Sequence, residues 1–274
     1  MKLVIFDLDQ TLVDFITIHD ETTLELFRRF FGVDARLTDI DFAGRSLADN
    51  FAELARRKNV PADKFSEKLP ELLDNYERIF AEKMPQDASR YILPGVKELL
   101  IELAETDNFI VLYTGDSPGT VDTVFQATGL GKYFRFSQYG TEVKTRTEMA
   151  RKAIEKAAAL ARRKFSGKDI VIIGDSVRDI DCGKEFNALT IAVATGFHSA
   201  EELAAHKPDY LFKSLKDYRK VLKAISGTSK WVSLVDIIRM IVFVLIALIL
   251  GLFGASLLFS DLGPGETMTR RLIM

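Results

Sequence analysis

The stretch KLVIFDLDQTLVD, Lys2 to Asp14, sets two carboxylates, Asp7 and Asp9, just past a short buried strand over Lys2–Phe6. Acid clusters do not belong at the end of a buried strand by default. Carboxylates at i and i+2 beyond a strand end can both face the crevice outside the carboxyl edge of a parallel sheet, where open α/β folds place their ligands. A lone D-x-D-x-T also fits a surface turn with a helix-capping Asp. This chain, however, supplies further polar pieces downstream, in order: VLYTGDS around Thr114, a basic pair at Lys144 and Arg146, and IVIIGDSVRDID around Asp175.

Together with FDLDQT these pieces resemble the four motifs of the haloacid dehalogenase superfamily, most closely its phosphatases of the phosphoglycolate phosphatase type. The resemblance runs from Lys2 to Ile225 and is most specific in its first and fourth motifs. The third departs from the usual Lys-Pro, because the chain has Lys144-Thr145-Arg146 there.

The resemblance implies a magnesium-dependent phosphatase working through an aspartyl-phosphate on Asp7. Anion must then attack anion, and each like-charge pair at about 4 Å and an effective dielectric near 20 costs on the order of 4 kcal/mol. Positive charge has to be imported, and magnesium suits carboxylate and phosphate oxygens. By resemblance Asp7, Asp9, Asp175 and Asp179 serve the metal: Asp9 through its backbone carbonyl, Asp175 directly, Asp179 through water or by orienting the third-motif cation. Asp9 is also the implied general acid and base. The Thr114 hydroxyl and Gly115 amide would bind phosphoryl oxygens. Spacing favours Lys144 as the third-motif cation, with Arg146 as the alternative. Thr11 is expected to shape the turn.

The elements that must position these residues alternate strand and helix. Strands are predicted over 109–113, 135–138, 170–173, 191–194 and 210–212, which implies a three-layer, Rossmann-like parallel α/β core over 1–14 and 91–225. Between its first two strands the chain is helical from 15 to 90, the position of a cap domain in the resembled family. Leu24, Phe27, Phe30 and Phe31 stripe a first helix ending at Gly32, and Ser46 caps a second. Leu69, Leu72, Leu73, Tyr76, Ile79 and Phe80 mark a third. Arg45, in FAGRSLADNF, is the cap residue chosen as a contact to a substrate anion.

Forty-seven per cent hydrophobic and 28% charged residues are ordinary for a globular chain, and a net charge of −2 gives no basic field for nucleic acid. The expected partner is a small phosphorylated metabolite. The single cysteine, Cys182, cannot form an internal disulfide, and the apolar run at the N-terminus is too short for a signal peptide, so no export signal is expected. The three histidines, His19, His198 and His206, form no ligand-spaced cluster and read as ordinary. A phosphomutase or haloacid dehalogenase of the same fold, or a non-catalytic phospho-ligand-binding membrane protein, are the rivals. Asp9 argues against a dehalogenase, which has no alkoxide to protonate.

After a linker at 226–239, residues 240–259 carry no charge over about the length that spans a bilayer, and their apolar residues surround the helix. A single-pass transmembrane helix with a 260–274 tail is expected. Lys220, Lys223, Lys230 and Arg239 outnumber Arg270 and Arg271, which points the catalytic domain to the cytoplasm. Ala247, Gly251 and Ala255 form a small-residue seam suited to a homodimer in the lipid bilayer.

Overall fold

The computed structural model describes residues 1–227. A six-stranded, all-parallel sheet carries the fold, in the order β3-β2-β1-β4-β5-β6. Its strands are β1 (Leu3–Phe6), β2 (Phe109–Thr114), β3 (Ser137–Tyr139), β4 (Ile170–Gly174), β5 (Leu189–Val193) and β6 (Tyr210–Phe212). The helices are α1 (Ile16–Phe31), α2 (Leu47–Arg57), α3 (Ala62–Lys83), α4 (Val96–Ala104), α5 (Pro118–Thr128), α6 (Arg146–Ala161), α7 (Val177–Glu185), α8 (Ala200–Ala205) and α9 (Tyr218–Ser226).

β1 lies at the centre because LVIF is apolar at every position, as a strand covered on both faces requires. Alternation sends Val4 and Phe6 into one core with α4, α5, α9 and the insertion, while Leu3 and Ile5 join Met149, Ala150, Ala153 and Ala157 of α6 on the other face. The three layers follow. β1 pairs with both β2 and β4, Phe6 opposite Leu112 and Ile173, so the residues after all three strands emerge at one edge. The Asp7 amide extends this pairing by donating to the Ile173 carbonyl at 2.9 Å.

The expected helical insertion is present as α1 to α3, held by contacts of α1 and α2 with α3. α1 ends at Gly32 with φ of 72°, and the Ser46 hydroxyl caps α2 by accepting from the Asp49 amide at 3.2 Å. The buried face of α1 differs from the aromatic stripe. Ile18, His19, Thr22, Thr23, Leu26 and Phe27 point inward, while Leu24, Phe30 and Phe31 are only partly covered. Packing on α3 and on the core loop together sets this rotation.

Among the described residues no helix is long and apolar enough to cross a membrane. The 240–259 span, its small-residue seam and the 260–274 tail lie outside the described residues.

Candidate active site

Four strand-following segments meet at the carboxyl edge of the sheet, and their polar side chains are buried there. Asp7, Asp175 and Asp179 offer oxygens within 4.8 Å of one another. Arg146, the first residue of α6, is only 8% exposed and reaches into this cluster. Its Nη2 bonds Asp7 Oδ1, and its Nε and Nη2 donate to Asp179 Oδ1 at 2.9 and 2.6 Å. Lys144, favoured by spacing, is exposed, and its backbone amide instead bonds Glu148 at 3.0 Å. Thr145 explains the choice: it caps α6 by accepting from the Glu148 amide, so Arg146 starts the helix facing inward.

Asp179 is fully engaged. Besides Arg146 it accepts from Tyr113, and its Oδ2 takes the Ser176 amide and hydroxyl at 3.1 and 2.6 Å in a capping box at the start of α7. Burial would raise its carboxyl, but Arg146 together with the Ser176 and Tyr113 hydrogen bonds holds it below the usual range. Of the two placements expected of it, beside the metal or beside the third-motif cation, Asp179 has its carboxylate bonded to the cation Arg146 and lies within 4.8 Å of the Asp7 and Asp175 oxygens.

Asp7 and Asp175 are less well served. Thr11 Oγ1 lies 3.4 Å from each, and Arg146 binds only Asp7. Burial pushes the Asp7 carboxyl up to about 7 against the pull of Arg146. Burial, then the neighbouring charges of Asp7 and Asp179, push Asp175 well above the carboxylate range. Three carboxylates facing one guanidinium leave a deficit of positive charge, which a hard divalent ion at Asp7 and Asp175 would fill. The donor set thus fits magnesium.

Asp9 points elsewhere. Its Oδ1 lies 3.1 Å from His19 Nε2, and His19 Nδ1 meets the Tyr76 hydroxyl. His19 also lies against Phe80, with ring centroids 4.7 Å apart and the rings tilted by 37°. Burial would lower the imidazole, but the Asp9 carboxylate outweighs it and holds it up to about 9; Asp9 is in turn held below the usual range against burial, chiefly by His19. His19 is therefore not the ordinary histidine its scattered position in the sequence implies: it carries the insertion's contact to the core carboxylate Asp9. Only an i+10 spacing from Asp9 marks it in the sequence. Asp116 closes this second group, pushed well up by burial and then by the Asp9 charge.

Thr114 is buried at the end of β2 and its hydroxyl accepts from the Asp116 amide at 3.2 Å. Next to it Gly115 supports the insertion directly: its carbonyl takes the Leu47 amide at 3.1 Å, and a Cβ on it would strike the Arg45 carbonyl. Gly44, at φ of 70°, likewise lies against Ser176 with no room for a side chain. Arg45 thereby lines the same cavity as Asp7, Asp9, His19 and Thr114. Arg178 fastens this roof, donating to Asp41 Oδ1 and Oδ2 at 3.1 and 2.7 Å and to the Ala43 carbonyl at 2.7 Å. Phe42 meets Phe197 edge-on at 5.5 Å.

A sequence profile described as haloacid dehalogenase-like hydrolase matches residues 4–193. A phosphoglycolate phosphatase of Synechococcus elongatus is 24% identical over 220 residues, covering 79% of this chain and 95% of the relative. Pyrophosphatase PpaX of Listeria monocytogenes is 25% identical over 223 residues, covering 80% and 95%. Among solved structures, a β-phosphoglucomutase from Clostridium difficile has a TM-score of 0.67 at 18% identity, covering 82% of this chain and 97% of the other. A hydrolase from Pseudomonas syringae gives 0.66 at 18% identity, covering 81% and 98%. At these identities the solved structures speak to the fold alone.

Proposed function

Because the chain belongs to the haloacid dehalogenase-like hydrolases, we propose that it is a magnesium-dependent phosphatase acting on a small phosphorylated metabolite through an aspartyl-phosphate on Asp7. The observation that carries this reading is the division of labour between a buried carboxylate and a half-buried one: Asp7 is pinned by Arg146, and Asp9 is paired with His19. Phosphatases among the similar curated relatives support it.

A carboxylate oxygen of Asp7 attacks phosphorus, and the bond to the leaving alcohol oxygen breaks. Arg146 offsets the charge of the phosphoryl group and fixes Asp7 for attack. Asp7, Asp175 and the Asp9 carbonyl would hold magnesium, which would supply positive charge to the phosphoryl oxygens. Thr114 and the Gly115 amide face the same oxygens as charge shifts onto them. The leaving alkoxide takes its proton from Asp9, and His19 Nε2, 3.1 Å away, stores the proton that the pair shares. Water then attacks the phosphorus of the intermediate, giving its proton to Asp9 and releasing the Asp7 carboxylate.

Arg45 is the cap contact to an anionic group on the leaving alcohol. The tail anchors the enzyme in a membrane, with the catalytic domain facing the cytoplasm; its uncharged 240–259 run supports this. Fractionating cells that express the full chain, and a version stopped after Lys230, tests the anchor: alkaline carbonate must leave the full chain on membranes and the shorter one soluble.

The enzymatic reading is tested by phosphate release from an aryl phosphate. Release must require magnesium and vanish in Asp7→Asn with the fold intact. Arg146→Ala must lose about 10²- to 10³-fold in kcat, as removal of a charge-stabilising donor does. Lys144→Ala must stay within about twofold, because its exposed side chain lies outside the cluster. Equal losses in both would remove Arg146 from the role.

A further inference from the structure

Tyr113 is the penultimate residue of β2, fully buried, on the sheet face covered by α6. Arg146 lies over its ring, with Cζ 3.8 Å from the centroid. Among the described lysines and arginines this is the closest approach to an aromatic ring, and the only such pair in which the cation is buried. The Tyr113 hydroxyl donates to Asp179 Oδ1, the same oxygen that accepts both Arg146 donors.

We propose that Tyr113 is a positioning residue for Arg146: its ring fixes the guanidinium plane from one side and its hydroxyl fixes the Asp179 oxygen at its edge, so that Nη2 is delivered to Asp7. A guanidinium has a flat face, and its donors lie in one plane, so a small tilt withdraws Nη2 from Asp7. An aromatic ring at stacking distance opposes that tilt and attracts the charge. An ammonium has no plane and needs no such platform. The tyrosine therefore belongs with the arginine, in a chain whose third motif departs from lysine.

A tyrosine that merely fills the core would cost the same whatever the cation, and this separates the two accounts. The kinetic arm rests on the phosphatase reading; a spectroscopic arm does not. Tyr113→Leu, Tyr113→Phe, Arg146→Lys and the double variants with Lys are assayed for kcat and KM on an aryl phosphate with magnesium, each checked by its melting temperature. Tyr113→Leu is expected to lower kcat about 10- to 30-fold with KM nearly unchanged, and to cost no more than about twofold once Lys stands at position 146. Tyr113→Phe, which keeps the ring, is expected to lose less than Tyr113→Leu. Equal losses in the Arg and Lys backgrounds, or a Phe variant as impaired as the Leu variant, would overturn the proposal. Should Tyr113→Leu fail to fold, Tyr113→Met takes its place, filling the volume without a π face.

In the second arm, ¹⁵N-labelled protein is used to observe the Arg146 Nε–H, identified by its loss in Arg146→Lys. Its proton is expected to show an upfield ring-current shift in the wild type and in Tyr113→Phe, and to move downfield in Tyr113→Leu or Met. A resonance insensitive to residue 113 contradicts the platform whether or not the protein hydrolyses phosphate. A wild type that releases no phosphate would count against the phosphatase reading, and this spectral test would still decide the proposal.

Discussion

His19 Nε2 stands 3.1 Å from Asp9 Oδ1, joining the first helix of the insertion to the core loop that carries the proposed acid. The far side of the imidazole is held by Tyr76 of α3. One side chain thus both ties the insertion to the core and sets the proton inventory of Asp9.

The pair has a defined pH signature. His19 rises from an ordinary 6.5 to about 9 in the fold, so its contribution is fully present below about 6.5 and is lost as pH rises through about 9. Asp9 is shifted down, so its share is present above the ordinary carboxylate range and is lost in acid. His19→Gln is therefore expected to destabilise on the order of 3 kcal/mol near pH 6, and much less near pH 9.5, by urea unfolding. A difference independent of pH would mean that the imidazole is not held charged.

Magnesium removal has the opposite pH dependence. Burial raises Asp7 to about 7 and raises Asp175 as well, so each weakens the fold as pH rises from the ordinary carboxylate range to its raised value, and the penalty is complete above it. An ion that neutralises them stabilises most where they are ionised. At one fixed magnesium concentration the increase in Tm is expected to be larger at pH 8 than at pH 5.5, corresponding to about 2.7 kcal/mol of stabilisation where that concentration is a hundred times Kd, and to be lost in Asp175→Asn. Equal shifts at both pH values, or a shift that survives Asp175→Asn, would place the ion elsewhere.

Much of this architecture is legible in the sequence because parallel strands covered on both faces are continuous apolar runs, as in LVIF and IVIIG. Asp7, Asp9, Asp175 and Arg146 could be named because each follows such a run or opens a helix. The choice between Lys144 and Arg146 could not be made, since it depends on where Thr145 starts α6 and on the Tyr113 ring beneath. His19 stayed hidden because its partner, ten residues away, meets it only after the chain turns from β1 into α1. The link from Arg178 to Asp41 spans 137 positions and has no local pattern at all.

That link gives the next expectation. Arg178 holds the Asp41–Arg45 roof by three hydrogen bonds at the core side, and two of them go to a carboxylate. Arg178→Ala should loosen the roof over the cavity, raising KM for an anionic substrate about tenfold while leaving kcat within about threefold. Steady-state kinetics on an anionic alkyl phosphate and a neutral aryl phosphate check it. A loss confined to kcat would assign Arg178 to the chemistry.

The central claim is the covalent bond between Asp7 and phosphorus. It is read most directly by acid-quenching the enzyme during turnover of an aryl phosphate with magnesium and measuring intact mass, followed by peptide mapping. The account predicts a fraction of the protein heavier by one phosphoryl group, located in the peptide holding Asp7 and absent in Asp7→Asn. Steady turnover with no labelled protein at any quench time, and inversion of configuration at phosphorus of a chiral thiophosphate ester hydrolysed in oxygen-labelled water where the account requires net retention, is the pattern expected of direct water attack with the bond never formed. Phosphate found on any other residue would contradict the account outright.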